Sequence, residues 1–324
     1  MGELFGLVIV RPLGLILEAI FRAVGSYGFA VILFALAVKI ICIPLAIKGK
    51  KSMLAMSAMN AEMQQLQKKY ANNRVKLNEE IQKLYQKHGI SPLSGCLPQF
   101  IPLPIMMGLY YAVQQPLKFM MGFGDEVIAK LAAFVGVDLA AAGFYGQITI
   151  AEKLSQVFAE NGGVWPEAVT RITEGAGDLL NIDFNFFGLN LAQIPSIKSP
   201  SALWIIPILS GLTAFLSSYV MQKMQGTKNE AAASQMRMMS YMMPLMSVYF
   251  GFILPGAIGI YWIFNNVFTC LQELVLGNYL IKKREKEEAE KAARLTAEKE
   301  AKRAAHHAAQ VEQSQKAKKD KGDK

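Results

Sequence analysis

The sequence predicts an all-α integral membrane protein, for three reasons. The chain has 324 residues, of which 52% are hydrophobic, and its mean hydropathy is +0.26. This is more apolar surface than one soluble core of this size needs. Five runs approach the roughly 20 apolar residues that a helix needs to cross a bilayer. The Lys and Arg residues avoid these runs almost entirely, which also argues against a basic groove for DNA.

The five apolar runs are the predicted spans. They cover residues 28–47, 97–115, 203–221, 239–254 and 256–280. The second run contains Pro98, Pro102 and Pro104, which remove backbone donors. Its first part therefore needs support from neighbouring helices or water.

Two further segments are predicted to rest on the outer surface of the membrane. Residues 1–26 alternate charged and apolar side chains in the pattern of an interfacial amphipathic helix, with a true span as the alternative. Residues 127–145 are interrupted only by Lys130 and Asp138. A sixth span there would reverse the orientation of all that follows, so we interpret it as a surface helix.

The distribution of Lys and Arg predicts the orientation, because such residues are retained on the cytoplasmic side. Residues 48–95 carry nine Lys or Arg against three acids, and the tail 282–324 carries fourteen against nine. Residues 116–200 carry five against nine. We expect the first two segments in the cytoplasm, the third outside, the N-terminus outside and the C-terminus inside. The basic tail either is merely solvated or binds anionic lipid or ribosomal RNA.

A helical hairpin is predicted over residues 50–88, between the first two spans. Apolar residues recur there at alternating spacings of three and four in two stripes, separated by Asn72 and Asn73. The simplest interpretation is that the two stripes bury each other. The adaptable methionines and the lysine face are also candidates for contacting a nascent apolar segment. These candidates are Met56, Met59, Met63, Lys68 and Lys69.

Lys39 lies deep in the first predicted span. Leaving it in lipid would cost about 2.5–3.5 kcal/mol on insertion scales. It either snorkels to the cytoplasmic interface or faces a wet cavity, and the residues alone leave both open. Polar span residues that could line such a cavity are Gln99, Thr213, Ser217, Asn265 and Asn266.

The sequence gives little support for catalysis. It contains no GxxxxGK[ST] loop, no HExxH and no GxSxG. Its three cysteines form no CxxC pair, which argues against a zinc site or disulfide framework. We expect no catalytic residue, no cofactor and no metal, and therefore not an enzyme.

Several motifs resemble those of the YidC family of membrane protein insertases, which is related to the oxidase-assembly and Albino proteins. They are KIICIP in the first span, SPLSGCLPQFIPLPIMMGLYYAV at the second, FFGLNLAQIP before the third and LPGAIGIYWIFNNVF at the last. Their order along five spans covers most of the chain. The lack of a large domain before the first span resembles members from bacteria with a single membrane.

The resemblance implies a hydrophilic groove that is open to the cytoplasm and to lipid, closed to the outside, and contains one positive residue on the first span. Lys39 occupies that position, and Trp262 of the last motif joins the candidate groove residues. Most members have arginine there, which keeps its charge, whereas a desolvated lysine can lose its proton. The implied partners are nascent membrane proteins, membrane lipid, the Sec translocon and the ribosome.

Two other functions stay open at this point. A secondary transporter would use Lys39 as a substrate or gating site, but it commonly shows two similar halves, and no internal repeat is visible. A scaffold that binds membrane proteins without inserting them would need the same groove and hairpin.

Overall fold

The computed structural model describes residues 3–89, 102–225 and 230–283, together with separate stretches between 285 and 301. The chain divides into two compact units, residues 1–274 and 275–324. The first unit is mostly helical with one small sheet, and the described part of the second is helical.

The longer α-helices are α1 (Arg11–Val24), α2 (Tyr27–Ala58), α3 (Asn60–Lys69), α4 (Arg74–Lys87), α5 (Pro102–Gln114), α6 (Asp125–Phe134), α7 (Gly146–Glu160), α8 (Glu167–Thr173), α9 (Ile205–Gln225), α10 (Glu230–Ile253) and α11 (Gly256–Gln272). Short helical turns are Glu3–Phe5, Gly6–Val10, Pro116–Phe119, Leu139–Ala142, Gly143–Tyr145, Ala202–Trp204 and Glu273–Gly277. Strands β1 (Asn185–Phe186) and β2 (Leu189–Asn190) pair antiparallel. Positive φ angles at Phe187 and Gly188 close this two-residue hairpin.

Apolar helices long enough to cross a membrane are present. Within the described residues, Tyr27–Ser52 and Ala202–Met224 qualify by length and composition. The pair Asp125–Phe134 and Leu139–Glu160, bent by 105°, would be a third if it formed one span. Tyr241–Ile253 is apolar but shorter. The chain is thus a mostly helical membrane protein.

The first predicted span and the predicted hairpin divide differently in the structure. Helix α2 continues past residue 47 to Ala58, so residues 50–58 extend this helix rather than open a separate one. The chain then forms α3 and α4, joined at residues 70–73. The Asn73 side chain accepts a hydrogen bond from the Lys76 amide at 3.0 Å and so caps α4.

The first half of α2 lies in the hydrophobic core. It packs against α1, α11 and strand β1, and Tyr27, Val31 and Phe34 are fully buried. Gly28 is needed for this packing, because a Cβ there would lie 2.3 Å from the Phe186 ring. The aromatic side chain of β1 therefore seals the start of the helix.

Small residues bring α9, α10 and α11 together. A Cβ on Gly251 of α10 would lie 2.7 Å from Pro207 of α9, and one on Gly259 of α11 would lie 2.2 Å from the Ile206 side chain. Such close approach is how helices associate where lipid offers no hydrophobic driving force. Helix α11 also packs on α2, so it stands between α2 and α9.

Residues 115–200 form helices α6, α7 and α8 and the β hairpin. The Arg11 guanidinium of α1 donates hydrogen bonds of 2.9 Å to the carbonyls of Phe119 and Met120 and ties α1 to this segment. The stretch 127–145, predicted as one surface helix, spans α6 and two short turns, and α6 buries Ile128 and Leu131. Its location relative to a membrane stays a prediction.

Candidate functional site

Lys39 sits where α2 meets α11. Its side chain is half-buried, and Nζ donates a hydrogen bond of 2.7 Å to Oγ1 of Thr269 on α11. The Thr269 hydroxyl donates its own hydrogen to the Asn265 carbonyl at 2.6 Å. The lone pairs of the Thr269 hydroxyl oxygen can therefore accept from the Lys39 ammonium. Within the described part of the chain, Lys39 forms no ion pair with a carboxylate.

Helix α9 contributes the next polar groups. Asn266 of α11 donates to the Thr213 hydroxyl at 3.5 Å, and that hydroxyl donates to the Leu209 carbonyl at 2.8 Å. Ser210 and Ser217 lie about one turn to either side of Thr213 on the same face, and both are buried. A polar stripe on α9 thus faces α11.

The predicted groove residues come together in part. On α11, the backbone carbonyl of Asn265 accepts from Thr269, the partner of Lys39, and the side chain of Asn266 contacts Thr213 of the α9 stripe. Trp262 instead stacks on Phe250 of α10, with ring centroids 5.5 Å apart. Gln99 lies outside the described residues. We call the set Lys39, Thr269, Asn265, Asn266, Thr213 and Ser217 the polar junction.

An ion pair that was not predicted from the sequence lies next to the polar junction. Lys50 near the end of α2 pairs with Glu273, one turn beyond Thr269. Their side chains are only 5% and 15% exposed, so the pair is largely removed from solvent. The spacing of Thr269 and Glu273 was an available signal, because residues four apart share a helix face.

The hairpin candidates differ in their surroundings. Met59 is buried, Met63 is half-buried, and Lys68 and Lys69 are exposed, whereas the Met56 side chain lies outside the described part. They stay candidates for contacting a substrate.

Ion pairing joins the two hairpin helices. Glu62 of α3 accepts a hydrogen bond of 3.2 Å from Lys87 of α4 and lies 3.2 Å from the His88 ring. The hydrogen-bonded Lys87 ammonium holds the pKa of the Glu62 carboxyl below its ordinary value. A link across 25 residues is expected if the two helices run antiparallel.

One cleft lies elsewhere. It measures about 640 Å³ and is lined by Arg22, Trp165, Arg171 and Asp178 among others, none of which belongs to the polar junction. Among the residues described, no group of three or more His, Cys, Asp or Glu is arranged to hold a metal ion.

Fold and site together define a class of protein: a helical membrane protein in which a half-buried lysine on one candidate span donates to a hydroxyl on a second helix, and an amide of that helix contacts a hydroxyl on a third. Comparison with known proteins narrows it. The chain matches the 60Kd inner membrane protein family over residues 19–284 and belongs to that family.

Curated relatives from several bacteria match most of this chain. The protein named membrane protein insertase YidC 2 of Listeria innocua is 27% identical, covering 85% of this chain and 71% of the relative. The protein named membrane protein insertase YidC of Alkalihalophilus pseudofirmus is 29% identical, and the match covers 76% of this chain and 71% of the relative. Membrane protein insertase MisCA of Bacillus subtilis is 26% identical, with coverages of 86% and 82%. Names of this kind place such proteins in the bacterial cell membrane.

Proposed function

We propose that this chain is a membrane protein insertase that moves short hydrophilic parts of nascent membrane proteins into a groove and releases their apolar spans into lipid. The observation that carries the proposal is the polar junction, where an ammonium within an apolar span donates to a hydroxyl without forming an ion pair in the described residues, and an amide–hydroxyl contact links the same helix to α9. In a chain of this family, such a charge is suited to attract an incoming one.

The chemistry of the polar junction fits a short polar substrate segment. A lysine ammonium has three donors, and Thr269 accepts one of them. The other donors can reach water or a substrate carboxylate, and pairing with a carboxylate offsets part of the cost of burying both charges. The Thr213 and Asn266 groups extend the polar path, so a segment of a few residues could leave water without losing all its hydrogen bonds.

Release needs no nucleotide. Moving the substrate's apolar span from water into lipid yields about 25 cal/mol per Å², which for a whole span exceeds the cost of carrying a short polar tail. Long or highly charged tails would exceed that gain. We therefore propose that proteins with one or two spans and short tails are inserted by this chain alone, and larger ones with the Sec translocon.

The topology in this proposal has five spans around the groove, with the N-terminus outside and the C-terminus in the cytoplasm. The excess of Lys and Arg in residues 48–95 and 282–324 supports it. Hairpin α3–α4 would then receive nascent chains, with its methionines against apolar segments and its lysines toward the ribosome or lipid surface. The basic tail would add to ribosome binding.

The test is protease protection of a single-span protein with a short exported N-terminal tail, added to liposomes that contain the purified chain. We expect protection with the native protein, loss with Lys39→Ala and retention with Lys39→Arg. No protection above empty liposomes, with all variants folded, would reject the insertase in favour of a scaffold or transporter. Equal protection by all three would keep the insertase and remove Lys39 from its mechanism.

A further inference from the structure

Lys50 of α2 faces the same way as Lys39. Lys50 follows Lys39 by 11 residues, which is three turns plus about 20°, and lies about 16 Å further along the helix. The neighbouring Lys48 and Lys51 are exposed, whereas Lys50 is buried. Only Lys50 therefore accompanies Lys39 against α11.

Both lysines contact groups at the C-terminal end of α11, one helical turn apart. Thr269, the partner of Lys39, and Glu273, the partner of Lys50, are four residues and about 6 Å apart. The negative charge of Glu273 also favours the charged form of Lys39, although the two side chains form no ion pair in the described residues.

The formal net charge of Lys39, Lys50 and Glu273 together is +1. Two ammonium groups lie near one carboxylate, and Glu273 forms its ion pair with Lys50. The side chains of Lys50 and Glu273 are 5% and 15% exposed. A largely buried pair is screened little by salt, so its neutralisation of Lys50 persists. Lys39 donates its hydrogen bond to a neutral hydroxyl, so no carboxylate in the described residues forms an ion pair with its ammonium.

We propose that Glu273 is a specificity-determining residue: by neutralising Lys50 it leaves the groove a single effective positive charge and so sets how acidic a segment the groove prefers. The inference rests on the proposed insertase function. Without Glu273, two ammonium groups would favour strongly acidic segments. Without Lys50, Glu273 would turn to Lys39 and oppose acidic segments.

The same insertion assay tests this with three substrates whose short tails carry zero, one or three Asp residues. The readout is the ratio of insertion of the three-Asp tail to that of the neutral tail. We expect Glu273→Gln to raise this ratio about threefold or more and Lys50→Met to lower it by a similar factor. The double variant Lys50→Met with Glu273→Gln restores a single charge and should bring the ratio back to within about twofold of the native one.

The double variant also separates charge setting from a clamp that merely holds α2 to α11. A clamp predicts that all three variants lose insertion of every substrate equally while the ratio stays constant, and that result overturns the proposal. If Glu273→Gln fails to fold because Lys50 is left unpaired, the contrast between Lys50→Met and the double variant decides. A native protein that inserts no substrate would reject the insertase function itself, and the proposal with it.

Discussion

The two halves of helix α2 have similar apolar sequences but different surroundings. Between Tyr27 and Ala35, five side chains are fully buried, where α1, β1 and α11 cover the helix. From residue 36 to residue 49 not one residue is buried, although the helix is unbroken. Lys39 lies just inside this second half. The difference teaches that the Lys39 ammonium lies where the helix is less tightly packed. We call residues 27–35 the sealed half and residues 36–49 the open half.

The largest expected change in the free energy of unfolding comes from a substitution in the buried first half of α2. Phe34 is fully buried beside Tyr261, so Phe34→Ala should lower the free energy of unfolding by about 3–5 kcal/mol. Ile41 on the open half is 67% exposed, and Ile41→Ala should change it by less than about 1 kcal/mol. Thermal unfolding followed by tryptophan fluorescence compares the two. Similar losses of unfolding free energy in the Phe34→Ala and Ile41→Ala variants would contradict the difference in packing between the two halves.

A smaller effect is expected from the hydrogen bond that holds Lys39. Thr269→Val keeps the side-chain shape but removes the acceptor, and a hydrogen bond to a charged group contributes about 1.5–3 kcal/mol. Insertion should fall about tenfold or more, because each 1.4 kcal/mol is a factor of ten, and the free energy of unfolding should fall by no more than this bond contributes. Thr269→Ser, which retains the hydroxyl, is the matched control. Equal activity of the Val and Ser variants would show that this bond does not position Lys39.

The smallest effect is expected in the exposed hairpin. Lys87 lowers the pKa of the Glu62 carboxyl from its ordinary value of 4.5, so the pair stabilises the folded hairpin at pH values above 4.5. This contribution is lost as the pH falls through the lowered pKa. Solvent screening keeps it small. Lys87→Met should raise the Glu62 titration midpoint, measured from its carboxyl ¹³C shift. An unchanged midpoint would rule out the pair in solution.

The sequence predicted the features that depend on local pattern. Apolar runs predicted the helices that contain residues 28–47 and 203–221, and the charge within the first run identified Lys39. Family membership was predicted from short motifs and is confirmed by the match over residues 19–284.

The partners of those residues depend on how one helix is turned against another, which local pattern does not encode. Thr269 and Glu273 face α2, and the helix before them is held at its start, where Gly256 and Ala257 donate backbone hydrogen bonds of 2.9 Å to the carbonyls of Gln193 and Leu191. Trp262 was grouped with the groove by its motif, yet its ring packs toward α10. Neither orientation follows from hydropathy.

The most direct test of the central claim is thiol accessibility in a variant whose three native cysteines are replaced. Thr213→Cys places a thiol in the polar junction, and Val31→Cys places one in the sealed half. A membrane-impermeant maleimide is applied to intact cells and to inverted vesicles. We predict labelling of Thr213→Cys from the cytoplasmic side alone and no labelling of Val31→Cys from either side. Labelling of Thr213→Cys from outside, or from neither side, would contradict a groove that opens to the cytoplasm.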